Sequence, residues 1–250
     1  MSADSDPRTR GHPSVFAEVA EAYERGRPGY PEDAVRWLAG DEPRDVVDLG
    51  AGTGKLSRAL LALGHRVTAI EPLPEMLDLF PASAPGASGI LGTAEIIPLP
   101  DAFADVVASG QAFHWFDHAL ALPEIARVLR HQGRLGLVWN TRDDEDPFMA
   151  RLSQLIGNER LGGEHSYLAV DESGLFEPVE TAVFRHEQVV DRATLLDLVL
   201  SRSHCAKLRS GEREPVLEAV GRLYDEHAGP DGLKLPYVTE CYRATKRGER

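Results

Sequence analysis

The chain has 250 residues and a mass of 27.3 kDa, enough for one α/β domain with a sizeable core and too little for two comparable ones. A net charge of −13 repels a phosphate backbone and argues against nucleic acid as a partner, while leaving room for a locally basic pocket. Two distant cysteines, Cys205 and Cys241, form no CxxC, the polar start Met1–Pro13 lacks a signal-peptide core, and no apolar run spans a bilayer, so a cytoplasmic protein without a membrane partner is expected.

Residues 1–13 read as a flexible tail. Ser14 is placed to cap a helix whose Phe16, Val19, Ala20 and Tyr23 share one face and which stops near Gly26, ahead of the stiff turn Arg27-Pro28-Gly29-Tyr30-Pro31. A short helix through Val35 and Leu38 leads to a buried strand, Val46 to Leu49, which breaks at Gly50-Ala51-Gly52-Thr53-Gly54. The next helix carries Leu56, Ala59, Leu60 and Leu63 and closes at Gly64. A strand over Val67–Ile70 ends in Glu71, and a helix through Met76, Leu77 and Phe80 is expected to stop at Pro81. Strands at Ile90-Leu91, Val106–Ala108 and Leu135–Trp139 follow, with a helix through Leu122, Ile125, Ala126 and Leu129 before the last of them.

The run Asp143-Asp144-Glu145-Asp146 reads as a solvated loop. Residues 147–161 read as a helix, Val179–Val190 as a strand, Ala193–Leu200 and Pro215–His227 as helices, and Tyr237–Ala244 as a final strand. This alternation predicts an α/β fold: a Rossmann-like, seven-stranded, mostly parallel sheet sandwiched by helices, with helical insertions forming a lid. A single domain over 14–250 is expected, its ligand-binding core at about 40–142 and its lid and substrate elements at 14–39 and 143–235.

The turn from Asp48 to Gly54 carries the chemistry. Glycines there permit unusual backbone angles and let a ligand approach the bare main chain, and Glu71 stands where a carboxylate reaches ribose hydroxyls. That pattern points to a nucleoside-containing cofactor. A dinucleotide fingerprint needs a third glycine where Lys55 stands, and a P-loop needs a glycine in place of Leu49 and Ser or Thr in place of Leu56.

The remaining pattern, D-x-G-x-G-x-G, resembles motif I of the class I S-adenosylmethionine (SAM) methyltransferases. Ala22-Tyr23, Arg27 to Pro31, Gly92 to Pro100, Ser109 to Asp117, Glu124 to Arg130 and Val138-Trp139-Asn140 are similar to a branch of that family. The branch includes bacterial proteins of unassigned substrate and fungal methyltransferases of trans-aconitate and related small carboxylates. The resemblance runs from Phe16 to Arg142 and more loosely to Tyr242, through Leu200-Ser201-Arg202-Ser203 and Leu235-Pro236-Tyr237.

It implies roles at matching positions. Asp48 with Gly50, Ala51, Gly52 and Gly54 would hold the methionine end of SAM, and Glu71 the ribose. Pro72 and Met76 would line the adenine slot, Ala94 and Glu95 its edge, with Gln111 beside the methionine portion and Tyr23 and Arg27 closing over it. Thr93 departs from the pattern, since many relatives carry Asp there to meet the adenine amino group.

Displacement at a carbon already activated by a sulfonium needs alignment and exclusion of water, not a covalent intermediate. Aromatic faces at Tyr23, Trp115 and Trp139 suit that charge, although both tryptophans read equally as core. His114 is the candidate base or orienting residue. His118 completes an H-x-x-x-H pair, but no third ligand accompanies it and no metal is expected. Arg142 and Arg202 are candidate partners for an acidic acceptor, and Tyr30 lines the same pocket or locks its own turn. The expected function is SAM-dependent methyl transfer to a small molecule through a carboxylate, hydroxyl or amine, leaving S-adenosylhomocysteine. The alternatives are an NAD(P)-dependent oxidoreductase, disfavoured by Lys55 in the third-glycine position, and a non-catalytic SAM-binding protein.

Overall fold

The computed structural model describes residues 13–157, 163–202 and 210–248. The apolar run before the glycine turn forms β1 (Asp45–Leu49), buried on both faces as an inner parallel strand must be. β2 (Arg66–Glu71) and β3 (Ser88–Leu91) lie to one side of it, and β4 (Ala104–Gly110) and β5 (Leu129–Arg142) to the other. β6 (Glu180–Val190) and β7 (Leu233–Thr245) complete seven strands in the order β3-β2-β1-β4-β5-β7-β6. Only β7 runs against its neighbours. The chain steps outward from β1 to β2 and then returns to β4, so a crevice opens beyond the carboxyl ends of β1 and β4, where sheets of this kind bind ligands.

Alternation along the strands divides the core. Val46, Val106, Val138 and Cys241 face α2 (Glu32–Ala39) and α3 (Lys55–Ala62), through Val35, Leu38, Leu56 and Leu60. Val47, Val107, Leu137 and Tyr242 pack with α5 (His118–Val128) and α7 (Gly163–Glu172) on the opposite face. A separate apolar cluster joins α6 (Pro147–Ile156), α8 (Arg192–Leu200) and α9 (Ser210–His227) to Leu233, Leu235 and Tyr237. α1 (Pro13–Gly26) lies against α8, held by an ion pair of 2.6 Å between Arg25 and Asp197. No helix among the described residues is long and apolar enough to cross a membrane.

Several expectations need correction. α4 (Pro74–Ser83) runs through Pro81 rather than stopping there: the helix ends two residues later, so the proline forgoes a single backbone bond, the one to the Leu77 carbonyl. α1 is described from Pro13, which leaves Ser14 inside its first turn, where a proline is pre-organised. The acidic run is no plain solvated loop. Asp146 caps α6 by accepting from the Met149 N–H at 3.0 Å, Asp144 accepts from Ser153 at 2.8 Å, and Asp143 pairs with Arg185 at 2.6 Å. Helix α7 was not expected, and α9 starts five residues before Pro215. Residues 1–12, Ser203, Cys205 and the last stretch of the expected 147–161 helix beyond 157 lie outside the described residues.

Candidate active site

An open cleft of about 900 Å³, counting its mouth, occupies the crevice at the carboxyl end of the sheet. Its floor is the turn after β1. Gly52 has φ +58°, and a Cβ built on it would meet only the Tyr23 ring, at 3.9 Å, so this backbone faces open space. At Gly54, φ is +95° and a Cβ would press into Phe80 at 2.7 Å, so this glycine serves packing beneath the turn. Glu71, 5% exposed, closes the adjoining wall and accepts from the Gly52 N–H at 2.8 Å and the Leu73 N–H at 3.0 Å. Burial raises its pKa, opposed by those two backbone donors.

Tyr23 and Arg27, from the end of α1 and the residue just after it, roof the cleft. The Arg27 guanidinium lies 5.4 Å from the Tyr23 ring centre. It also donates through Nε to the Ser201 hydroxyl at 2.9 Å and through Nη2 to the Ser201 carbonyl at 3.1 Å. Gln111, held at φ +59° just past β4, donates to the Asn140 carbonyl at 2.9 Å. Asn140 in turn donates to the Gly29 carbonyl at 2.8 Å and accepts from Thr239 at 2.7 Å, which ties the turn after α1 to the sheet. Gly50, Met76, His114, Trp115 and Arg202 complete the expected residues that line the cleft.

The structure separates the other candidates from it. Asp48 is fully buried below the turn, accepting from the Ser57 hydroxyl at 2.6 Å, and burial pushes its carboxyl up to about 7. Ala51 packs beside Phe80, and Gly54 fills the space described above. Pro72 is exposed, Ala94 belongs to the core, and Glu95 accepts from the Asp117 N–H at 2.9 Å; none of the three lines the cleft. Tyr30 is not among the lining residues; its hydroxyl abuts Gly110, leaving no room for a Cβ there. Trp139 is core, with its Nε1 3.5 Å from His114 Nδ1 and its ring edge-on to Tyr242. Trp115, by contrast, is 68% exposed at the cleft mouth.

Arg142 is buried, donates to the Gly157 carbonyl at 2.6 Å, and borders a separate opening with Asp143, Asp144 and Arg185. His118 stacks on Phe113 at 4.5 Å with its Nε2 at 3.0 Å from the Phe113 carbonyl. His114 receives the Trp139 N–H at Nδ1, which places its own proton on Nε2, and Nε2 is out of contact with solvent. Sequence reasoning missed Leu73, Gly110, Ala112, Asn140, Thr141 and Ser201 as lining residues. Asn140 and Ser201 lay inside recognised motifs without an assigned role, and each other residue adjoins one that was assigned or lies two beyond it.

Strand order, a glycine turn at the switch point and an acid at the end of the next strand define the class I SAM-dependent methyltransferase fold. Residues 47–137 match the family model described as a methyltransferase domain. An uncharacterized methyltransferase of Mycobacterium tuberculosis is 46% identical over 237 residues, covering 92% of this chain and 95% of the relative. An uncharacterized methyltransferase-like protein of Schizosaccharomyces pombe is 33% identical over 242 residues, covering 92% and 94%. A solved structure from Anabaena variabilis, described as a methyltransferase, superposes with a TM-score of 0.63 at 21% identity, covering 87% of this chain and 98% of that one. The chain belongs to the class I SAM-dependent methyltransferases. These relatives favour that class over the dinucleotide alternative.

Proposed function

We propose that this chain methylates a small-molecule acceptor through a carboxylate, hydroxyl or amine, within one domain whose core at about 40–142 holds the cofactor. Elements from 14–39 and 143–235 hold the acceptor. The observation that carries the reading is the cleft itself. One end has a bare glycine backbone beside a buried carboxylate, and the other has arginine, histidine and an exposed tryptophan. The cradle suits SAM, because Gly52 leaves open space and each Glu71 oxygen accepts one backbone N–H and keeps capacity for a hydroxyl donor. Bound there, SAM supplies a methyl group on a positively charged sulfur, ready for direct displacement.

The chain's residues bind and align. Glu71 would take the ribose hydroxyls, and Met76 the adenine face. Arg27 is held by Ser201 through Nε and Nη2, which leaves Nη1 for the methionine carboxylate. Gln111 and the Tyr23 ring close the methionine end and exclude water. Arg202 supports an acidic acceptor by bidentate pairing, and Trp115 shields it at the mouth. His114, with Nδ1 taken by the Trp139 N–H and Nε2 out of contact with solvent, orients rather than removes a proton.

Calorimetric titration of ligand-free protein with SAM, S-adenosylhomocysteine, NAD and NADP tests the cofactor. Micromolar binding of the two adenosyl sulfur compounds alone is expected, and binding of NAD or NADP instead would overturn the assignment. Labelled methyl transfer should then appear in small carboxylic acids or phenols. Label recovered only in protein or nucleic acid would refute the acceptor class.

A further inference from the structure

β6 is a free edge of the sheet. β7 pairs along one side of it in unbroken register, and no strand among the described residues pairs with the other. Its 11 residues offer about 37 Å of open backbone. Exposed edges are ordinarily blunted by proline, bulges, short length or charged side chains, and the charges here, Arg185 and Glu187, are of opposite sign. β6 has no proline, no glycine and no bulge in its pairing with β7. One row of its side chains, Thr181, Val183, Arg185, Glu187 and Val189, is exposed along the whole strand, with Val183 at 62% and Val189 at 59%.

The geometry points to a second copy of this chain as the occupant, paired antiparallel along β6 about a two-fold axis at His186. In that register Arg185 stands opposite Glu187 of the second copy and Val183 opposite its Val189, each contact occurring twice. Moving the axis by one residue sets Arg185 against Arg185, or Glu187 against Glu187. The strand's sequence therefore selects one register by charge as well as by apolar contact. Asp143 lies 2.6 Å from Arg185 and Lys234 lies 2.9 Å from Glu187, so each cross-axis pair joins a chain of four alternating charges. None of these residues lines the cofactor cleft, and the inference stands independently of the acceptor.

Sedimentation velocity on the full chain at micromolar concentration tests it. The wild type is expected as a dimer. Arg185→Glu places like charges opposite one another at two symmetric positions and should raise the dimer Kd about 30-fold. Glu187→Arg alone should do the same, and the two substitutions together should recover part of the lost affinity, because the cross-axis pair is rebuilt with its signs exchanged while Asp143 and Lys234 then face like charges. A structural defect at these positions would not be repaired by that exchange. As a second measurement, Val183→Cys with Val189→Cys in a Cys205→Ser background should oxidise to a covalent dimer, because directly opposed strand residues stand within disulfide reach. A monomeric wild type, a dimer unaffected by either single reversal, or a double reversal that dimerises no better than either single one would overturn the proposal.

Discussion

Two glycines of the same turn should fail in different ways. Gly52 and Gly54 both hold positive φ, at +58° and +95°, so an alanine at either costs about 1 kcal/mol of backbone strain. At Gly52 nothing is added to that cost, since the new methyl would meet only Tyr23, at 3.9 Å. At Gly54 the methyl would meet Phe80 at 2.7 and 2.9 Å and Ala84 at 3.0 Å, which adds about 1 to 3 kcal/mol of overpacking. For a chain of this size the Tm should fall by about 3 °C in Gly52→Ala and about 10 °C in Gly54→Ala. Affinity should run the other way. The Gly52→Ala methyl projects into the cleft and should weaken S-adenosylhomocysteine about tenfold or more, whereas folded Gly54→Ala should bind it nearly as wild type. Thermal unfolding and calorimetric titration of both variants read the two quantities. Undiminished binding by Gly52→Ala, or wild-type melting of Gly54→Ala, would refute the division of labour.

His114→Ala should leave S-adenosylhomocysteine affinity intact and lower kcat by less than about tenfold, without reshaping the pH profile. Loss of a general base would cost about a hundredfold or more and remove a limb of that profile. Arg202→Gln should raise the KM of an acidic acceptor about tenfold with little change in cofactor affinity; a neutral acceptor would show no such shift. Asp48 makes a prediction in pH. Burial raises its carboxyl from 3.8 to about 7, so its contribution to stability is fully present below the unfolded value and is lost as pH rises through the folded one. The stability of Asp48→Asn relative to wild type should therefore improve by about 2 to 3 kcal/mol between about pH 5 and about pH 8. Denaturant unfolding at both pH values measures the gap, and a gap that ignores pH would contradict the burial argument.

The readable parts of the sequence are the local ones. The turn from Gly50 to Gly54 and the carboxylate of Glu71 are fixed by short spacing, and the bond from the Gly52 N–H to Glu71 joins two strand ends 19 residues apart. The roof is less legible. Arg27 meets Ser201 across 174 positions, a contact that only the packing of α1 on α8 creates. Single-residue readings failed where environment decides. Trp139 and Arg142 stand near the end of the strand that supplies Asn140, yet one is sealed in the core and the other borders a different opening. Pro81 misled because one forgone backbone bond does not stop a helix that ends two residues later. The acidic run misled because its carboxylates find an N-terminus, a serine and an arginine rather than water.

The position of β7 has a consequence for synthesis. It is made after β6 yet inserts between β5 and β6, so during translation β5 presents a bare edge and β6 has no strand to join. Every pairing that completes the sheet is therefore postponed to the end, a long-range closure that slows folding and prolongs exposure of unpaired strand. Ser201 and Arg202 lie just past the helix that follows β6. A nascent chain can thus shape its glycine turn early, but gains the far wall of its cleft only when β7 has been made.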